Sequence, residues 1–172
     1  MEIGGFEIPS ESPVFLSILA IHVPVGVLAV VTGAVAMFME KRGGAHIRAG
    51  SIYFWSLATL FATSTALAAM RWADDYHLFA LGTLAFGAAL LGRTARRQRW
   101  STQIDTHIVG MGVSYIAMLT AFYVDNGRNL PIWRELPDAI YWLAPSAFGV
   151  PLIVWAASRG SKVTIHVEGT SH

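Results

Sequence analysis

Five long apolar stretches dominate this sequence and constrain its fold more than any other feature. Each is close to the roughly 20 residues that an α-helix needs to cross about 30 Å of hydrocarbon. The polar connections between them are too short to hold a separate domain. The sequence therefore predicts an all-α fold, a polytopic helical membrane bundle with about five transmembrane helices in a single domain. The predicted spans are residues 14–39, 51–70, 75–91, 105–124 and 138–157.

The composition agrees with a membrane setting. Hydrophobic residues make up 54% of the chain and charged residues only 13%, whereas a typical soluble domain has roughly 25% charged residues. No cysteine is present, so the chain supplies no disulfide, thiolate metal ligand or iron–sulfur cluster of its own. Met1–Pro13 contains three Glu and no Lys or Arg, which is the opposite of the start of a signal peptide. We therefore expect the first helix to be retained.

The distribution of Lys and Arg predicts the orientation. Nine of the 12 basic residues fall on one side of the predicted spans. Basic loops stay in the cytoplasm, so we expect the N-terminus outside and the C-terminus inside, with a short, loosely ordered polar tail over residues 158–172. The nine are Lys41, Arg42, Arg48, Arg93, Arg96, Arg97, Arg99, Arg159 and Lys162, and the other three are Arg71, Arg128 and Arg134.

The expected surroundings follow from this topology. The predicted location is an inner (plasma) membrane, where membrane lipids are the first partners. A homo-oligomer or a larger membrane complex stays open. Because the topology accounts for the basic residues, nucleic acid is not an expected partner.

Histidine is the sharpest chemical signal. Four histidines lie within or beside the predicted spans, and the orientation sorts them into two layers. His22 and His77 belong to the outer layer, and His46 and His107 to the inner layer. An imidazole in hydrocarbon is costly unless it is paired, so these side chains are candidates for function. The alternative for each is a structural role, in which hydrogen bonds alone satisfy the ring.

Small and hydroxylated residues share helical faces with these histidines. Membrane helices associate through small residues and interhelical hydrogen bonds, so we interpret these faces as packing surfaces. The connection from Lys41 to Gly50 is glycine-rich and basic, and a tight interfacial turn that contacts anionic headgroups is one interpretation of it. The packing faces are Gly26, Ala29, Gly33 and Ala36 with His22, then Ser56, Thr59 and Thr63, then Gly110, Ser114 and Ala121 with His107.

Several motifs follow one another over nearly the whole chain. They are His22 with Gly26, Arg42-Gly-x-x-His46-x-x-x-Gly50, Tyr53-Phe-Trp, Asp105-x-His107-x-x-x-Met111, and Pro145 with Gly149. In this order they resemble a family of bacterial predicted integral membrane proteins, domain of unknown function 2306. The resemblance implies a compact helical membrane bundle in the inner (plasma) membrane of a bacterium, and it implies no established activity.

The first functional hypothesis is a b-type haem protein that transfers electrons. In transmembrane dihaem cytochromes, imidazoles on facing helices ligate each iron in pairs. His46 and His107 lie near one surface and form the better-matched pair. His22 lies several residues deeper than His77, so the outer pair matches less well.

The second hypothesis is a zinc or copper site made of His22, His77 and Asp74. Imidazole nitrogens and carboxylate oxygens are ligands that these metals accept. Zinc with an open position could activate water for hydrolysis of a lipid-like substrate, although no H-E-x-x-H motif is present. The alternative for Asp74 is a salt bridge to Arg71, three residues earlier.

Two further classes stay open. One is transport of protons or ions along a path of His, Ser and Thr, although no inverted repeat supports it. The other is a structural or accessory subunit whose polar faces are docking surfaces. The sequence does not decide whether the protein is an enzyme.

Overall fold

The computed structural model describes residues 2–3, 6–7, 12–40, 44–131 and 133–168, of which residues 2–3, 6–7 and 159–168 are described by their backbone alone. Two strands of two residues each, β1 (Glu2–Ile3) and β2 (Phe6–Glu7), pair antiparallel before the first helix. The predicted helical architecture is confirmed. The five long helices are α1 (Pro13–Phe38), α2 (Gly44–Met70), α3 (Trp72–Arg97), α4 (Gln103–Asn126) and α5 (Asp138–Glu168), with a 3-10 turn, Gly127–Asn129, after α4.

All five helices are long and apolar enough to cross a membrane, as predicted. The 26 residues of α1 extend over about 39 Å, more than the roughly 30 Å of a hydrocarbon core. Large apolar side chains cover the outward faces, and Val27, Val31, Leu143 and Val154 are each more than half exposed. In water such faces would drive aggregation, whereas in a bilayer they meet lipid.

The start of α2 differs from the sequence prediction. The helix begins at Gly44, so the interpretation of residues 44–50 as part of a glycine-rich turn is wrong, and His46 lies in a first helical turn. Hydropathy locates the part of a helix that lies in hydrocarbon, and the helix itself extends into the headgroup region, where His and Arg are tolerated. Lys41, Arg42 and Gly43 lie outside the described residues.

The end of α5 also differs from the prediction. The helix continues to Glu168, so residues 158–168 are helical rather than loosely ordered. Once a helix has formed, each added residue gains a hydrogen bond, and a polar segment can therefore extend an apolar one. Residues 169–172, and the side chains of Arg159 and Lys162, lie outside the described part of the chain.

Successive helices pack side by side and antiparallel. Contacts join α1 to α2, α2 to α3, α3 to α4 and α4 to α5, and α1 also meets α4. The first four helices therefore form a ring, and α5 packs against α4. Within the ring, α2 and α4 run in the same direction and face each other. We call the end at which α1 begins the upper end, and the end at which α2 and α4 begin the lower end.

The core of the ring combines small residues, among them Ala29 and Gly33 of the predicted packing faces, with aromatic rings. A Cβ atom on Gly33 would lie 2.6 Å from Cε2 of Tyr115 and 3.0 Å from Cδ2 of Tyr53. Glycine at this position of α1 therefore admits both tyrosine rings from α2 and α4. Small side chains elsewhere let the helices approach closely. The buried alanines of this core are Ala29, Ala85, Ala89 and Ala117.

Glycine also determines how α5 meets α4. Ile153 of α5 lies over Gly112 of α4, and Ile116 of α4 lies over Gly149 of α5. A Cβ atom on either glycine would overlap the isoleucine of the other helix. The two pairs are reciprocal, so they define both the height and the rotation of α5 on α4.

Candidate functional site

Two histidines meet inside the ring at its lower end. His46 is in the first turn of α2 and His107 is in the second turn of α4. Their ring centroids are 6.5 Å apart and their planes are inclined at 76°. Both side chains are partly buried. The structure thus brings together the two residues that the sequence assigned to the inner layer.

A main-chain carbonyl of α1 orients the His46 ring. Nδ1 of His46 lies 2.8 Å from the carbonyl oxygen of Ala36. That carbonyl is among the last four of α1, which have no partner within the helix. Because a carbonyl oxygen can only accept, Nδ1 carries the proton, and in the neutral ring the lone pair is on Nε2.

A main-chain carbonyl of α3 orients the His107 ring in the same way. Nδ1 of His107 lies 3.1 Å from the carbonyl oxygen of Gly92. The two helices come close enough because glycine meets glycine here: a Cβ atom on Gly110 would lie 2.7 Å from the oxygen of Ala88 and 2.9 Å from Cα of Gly92. In the neutral His107 ring the lone pair is therefore also on Nε2.

This geometry is typical of histidines that bind metals. Such histidines donate the second ring N–H to a carbonyl or carboxylate, which fixes the tautomer and the ring orientation. Imidazoles on opposite sides of one metal ion have ring centroids about 6 Å apart, since each metal–nitrogen bond is about 2 Å long. The separation of 6.5 Å between His46 and His107 is close to that value.

The space beside His46 is open. Gly50 lies one helical turn further along α2, and no heavy atom lies within 4 Å of the position that a Cβ atom would take there. The same is true at Gly44. A flat ligand next to the two imidazoles would need such room, and two imidazoles are a ligand set that haem iron accepts.

A second polar layer lies further up the ring. Tyr53 is seven residues after His46 and Ser114 is seven after His107, so this layer lies about 10 Å above the histidines. The Tyr53 hydroxyl lies 2.8 Å from Oγ of Ser114, and the pair is buried. Ser114 donates its one proton to the carbonyl oxygen of Met111, so Tyr53 is the donor to Ser114.

His22 has a separate partner near the middle of the bundle. Its Nδ1 lies 2.8 Å from Oγ1 of Thr63, which joins α1 to α2. The Thr63 hydroxyl in turn donates to the carbonyl oxygens of Thr59, at 2.9 Å, and Leu60, at 3.0 Å. This hydrogen bond satisfies one nitrogen of an imidazole that lies within a membrane span.

His77 and Asp74 are not joined to His22. The His77 ring contacts Tyr76 and Trp142, with centroids 5.7 and 6.0 Å away. Asp74 forms a salt bridge with Arg71 at 3.0 Å. Among the described residues, no group of three or more His, Cys, Asp or Glu could hold a metal ion. The three predicted zinc or copper ligands thus have different partners.

Sequence reasoning missed the groups that hold the histidines. The carbonyls of Ala36 and Gly92 belong to the main chain, which every residue has, so the residue types in the sequence do not identify them. Tyr53 could have been found, because its spacing from His46 equals that of Ser114 from His107. No protein family, curated protein or solved structure matches this chain, and the case for its function therefore rests on its own geometry.

Proposed function

We propose that this protein binds a b-type haem between His46 and His107 and acts in electron transfer. The observation that carries the proposal is the pair itself: two imidazoles from facing helices, each with Nδ1 held by a neighbouring carbonyl and with centroids 6.5 Å apart. When bound, the haem would supply one-electron redox chemistry. His46 and His107 would hold its iron.

The number of ligands favours haem over zinc or copper. A structural zinc ion takes four protein ligands and a catalytic one takes three. A haem iron receives four nitrogens from the macrocycle and needs only two axial ligands from the protein. The lower end offers two imidazoles, and the described residues hold no group of three metal ligands.

Basic residues at the lower end support the same proposal, because a haem carries propionate groups. The guanidinium of Arg93 on α3 lies over the Phe54 ring of α2, 4.3 Å from its centroid. It therefore points toward the other helices of the bundle. Arg96 and Arg97 follow on the last turn of that helix. Guanidinium groups bind carboxylates in a bidentate manner, and they would bind the propionates here.

We further propose that the lower end faces the cytoplasm of a bacterial inner membrane. The proposal rests on the charge distribution, since most basic residues fall at this end of the spans. The haem would then lie near the inner membrane surface, where cytoplasmic electron donors or acceptors could reach it.

The experiment is a spectroscopic comparison of purified variants. The full chain is produced with haem supply, extracted in detergent, and recorded oxidised and reduced, with zinc and copper measured on the same sample. We expect a Soret band that shifts on reduction and about one haem per chain. His46→Ala and His107→Ala should lose this band, whereas the matched controls His22→Ala and His77→Ala should keep it.

A ligand exchange separates ligation from folding. His107→Met should retain haem, because methionine is also an axial ligand, and should raise its reduction potential. A colourless wild-type protein would show that the proposal is wrong. Loss of haem in the His22 and His77 controls, with haem retained in the His46 and His107 variants, would also contradict it.

A further inference from the structure

A separate cleft opens at the upper end of the bundle, between α3, α4 and α5. Its volume is about 480 Å³, which is enough for a small organic molecule. The rings of Tyr76, Tyr141 and Trp142 and the imidazole of His77 line its interior. Arg128 and Asp138 also line it. It lies at the far end of the bundle from His46 and His107 and shares no residue with that pair.

Aromatic rings form much of the wall of this cleft. The His77 ring contacts the rings of both Tyr76 and Trp142. The Tyr141 hydroxyl donates to the carbonyl oxygen of Trp133 at 2.8 Å, which holds its ring in place. The faces of Trp and Tyr rings carry partial negative charge and attract cations. The wall therefore favours a positively charged ligand with an apolar surface.

The ionised groups around the cleft have an excess of negative charge. Arg128 is neutralised by Asp138, 2.6 Å away. Arg71 forms salt bridges with two carboxylates, that of Asp74 at 3.0 Å and that of Asp75 at 3.3 Å.

A further carboxylate, that of Asp125, stands next to this group. It interacts electrostatically with Asp75, Arg71 and His77 and accepts a hydrogen bond from the side-chain amide of Asn126 at 3.1 Å. No salt bridge joins it to a basic side chain within the part of the chain that the structure describes. Four Asp side chains thus stand near two Arg side chains. The field at this end of the bundle favours a cation.

We propose that the upper cleft binds an organic cation, a quaternary or protonated amine. Aromatic walls with nearby carboxylates are the arrangement that recognises quaternary ammonium groups. A metal ion fits less well, since no group of three metal ligands occurs among the described residues. The ammonium group could belong to a soluble molecule or to the headgroup of a phospholipid, because the cleft lies at the end of the membrane-spanning helices.

The test is calorimetric titration of the full chain, purified in an uncharged maltoside detergent, with tetramethylammonium chloride. Neopentyl alcohol, a neutral molecule of similar shape, is the comparison ligand. We expect saturable binding of the cation and at least about tenfold weaker binding of the alcohol. Trp142→Leu should weaken cation binding by about tenfold. Asp125→Asn should weaken it severalfold and reduce its dependence on salt.

Matched controls separate the cleft from general damage. Trp55→Leu changes an exposed Trp on α2, and Asp105→Asn changes a carboxylate at the lower end; both should bind like wild type. The proposal is overturned by absence of saturable binding, by equal binding of the alcohol, or by wild-type binding in both cleft variants.

The source of the ammonium group is distinguished in lipid nanodiscs. If a phospholipid headgroup is the ligand, phosphatidylethanolamine should weaken tetramethylammonium binding relative to phosphatidylglycerol alone. Equal affinity in the two lipids assigns the cleft to a soluble cation.

Discussion

At the scale of single residues, each lower-end histidine donates a hydrogen bond from one ring nitrogen to a main-chain carbonyl of another helix. Nδ1 of His46 bonds the carbonyl of Ala36, and Nδ1 of His107 bonds that of Gly92. Each bond fixes the ring in one tautomer and one orientation. It also ties two helices together, so binding chemistry and packing depend on the same atoms.

The buried Tyr53–Ser114 hydrogen bond should contribute measurably to stability. Tyr53→Phe is expected to lower the free energy of unfolding by about 1 kcal/mol, because interhelical hydrogen bonds in membranes contribute roughly 0.6 kcal/mol on average and up to about 1.7. The measurement is SDS-induced unfolding in mixed micelles, with Ser114→Ala and the double variant completing a thermodynamic cycle. Tyr76→Phe, at an exposed ring, is the control. A coupling energy near zero would contradict the expectation.

At the scale of helices, glycine contacts set the distances between them. Gly92 and Gly110 bring α3 and α4 together where His107 reaches across to α3. A Cβ atom on Gly92 would lie 3.2 Å from the main-chain nitrogen of Met111, and main-chain atoms cannot move aside as a flexible side chain can. The position of His107 therefore depends on a contact between the main-chain atoms of α3 and α4.

Gly110→Ala should separate α3 from α4. We expect it to destabilise the protein by roughly 1–3 kcal/mol, as overpacking does. It should also lower haem occupancy, because the hydrogen bond from His107 to the carbonyl oxygen of Gly92 would be stretched. Gly87→Ala on α3 is the matched control, since no heavy atom lies within 4 Å of its Cβ position; it should be neutral or slightly stabilising. Unfolding and haem content are measured on both. Similar behaviour of the two variants would argue against this role for Gly110.

The α4–α5 contact offers a test by compensation. Gly112→Ala should destabilise the protein because its new Cβ atom overlaps Ile153. Ile153→Ala alone should also destabilise it, by leaving a cavity. Together the two substitutions should cost less than the sum of the single effects, by about 1 kcal/mol. Strict additivity would show that these two side chains do not compete for the same space.

At the scale of the whole molecule, the bundle has two chemically different ends. The lower end has a pair of histidines and most of the basic residues, and the upper end has an aromatic cleft with excess carboxylates. A membrane would separate these two ends by its thickness. A redox centre at one surface and a cation site at the other are therefore two independent proposals.

The proposed orientation can be tested directly because the chain has no cysteine. Single cysteines at exposed positions are introduced as Glu135→Cys in the upper loop and Ser101→Cys in the lower loop. A membrane-impermeant maleimide should label Glu135→Cys in intact spheroplasts and Ser101→Cys only after permeabilisation. The wild-type chain is the unlabelled control. The reverse pattern would place the lower end outside.

The sequence alone determined the five apolar helices, and it offered the local ion pair at the upper end as one alternative. Hydrophobicity is a property of consecutive residues, so helices able to cross a membrane can be located without tertiary information. The salt bridge between Arg71 and Asp74 was one of the alternatives for Asp74, since residues three apart in a helix lie on one face. The start of α2 could not be located in this way, because a helix continues beyond its apolar segment.

Only the tertiary structure decided which histidines meet. The two layers offered His22 with His77 and His46 with His107, and the second pair was the better matched in depth. Only the second pair comes together. Pairing depends on the relative height and rotation of whole helices, and these follow from contacts such as Gly92 with Gly110. Such contacts join residues far apart in the chain, and the pattern along any one helix does not contain them.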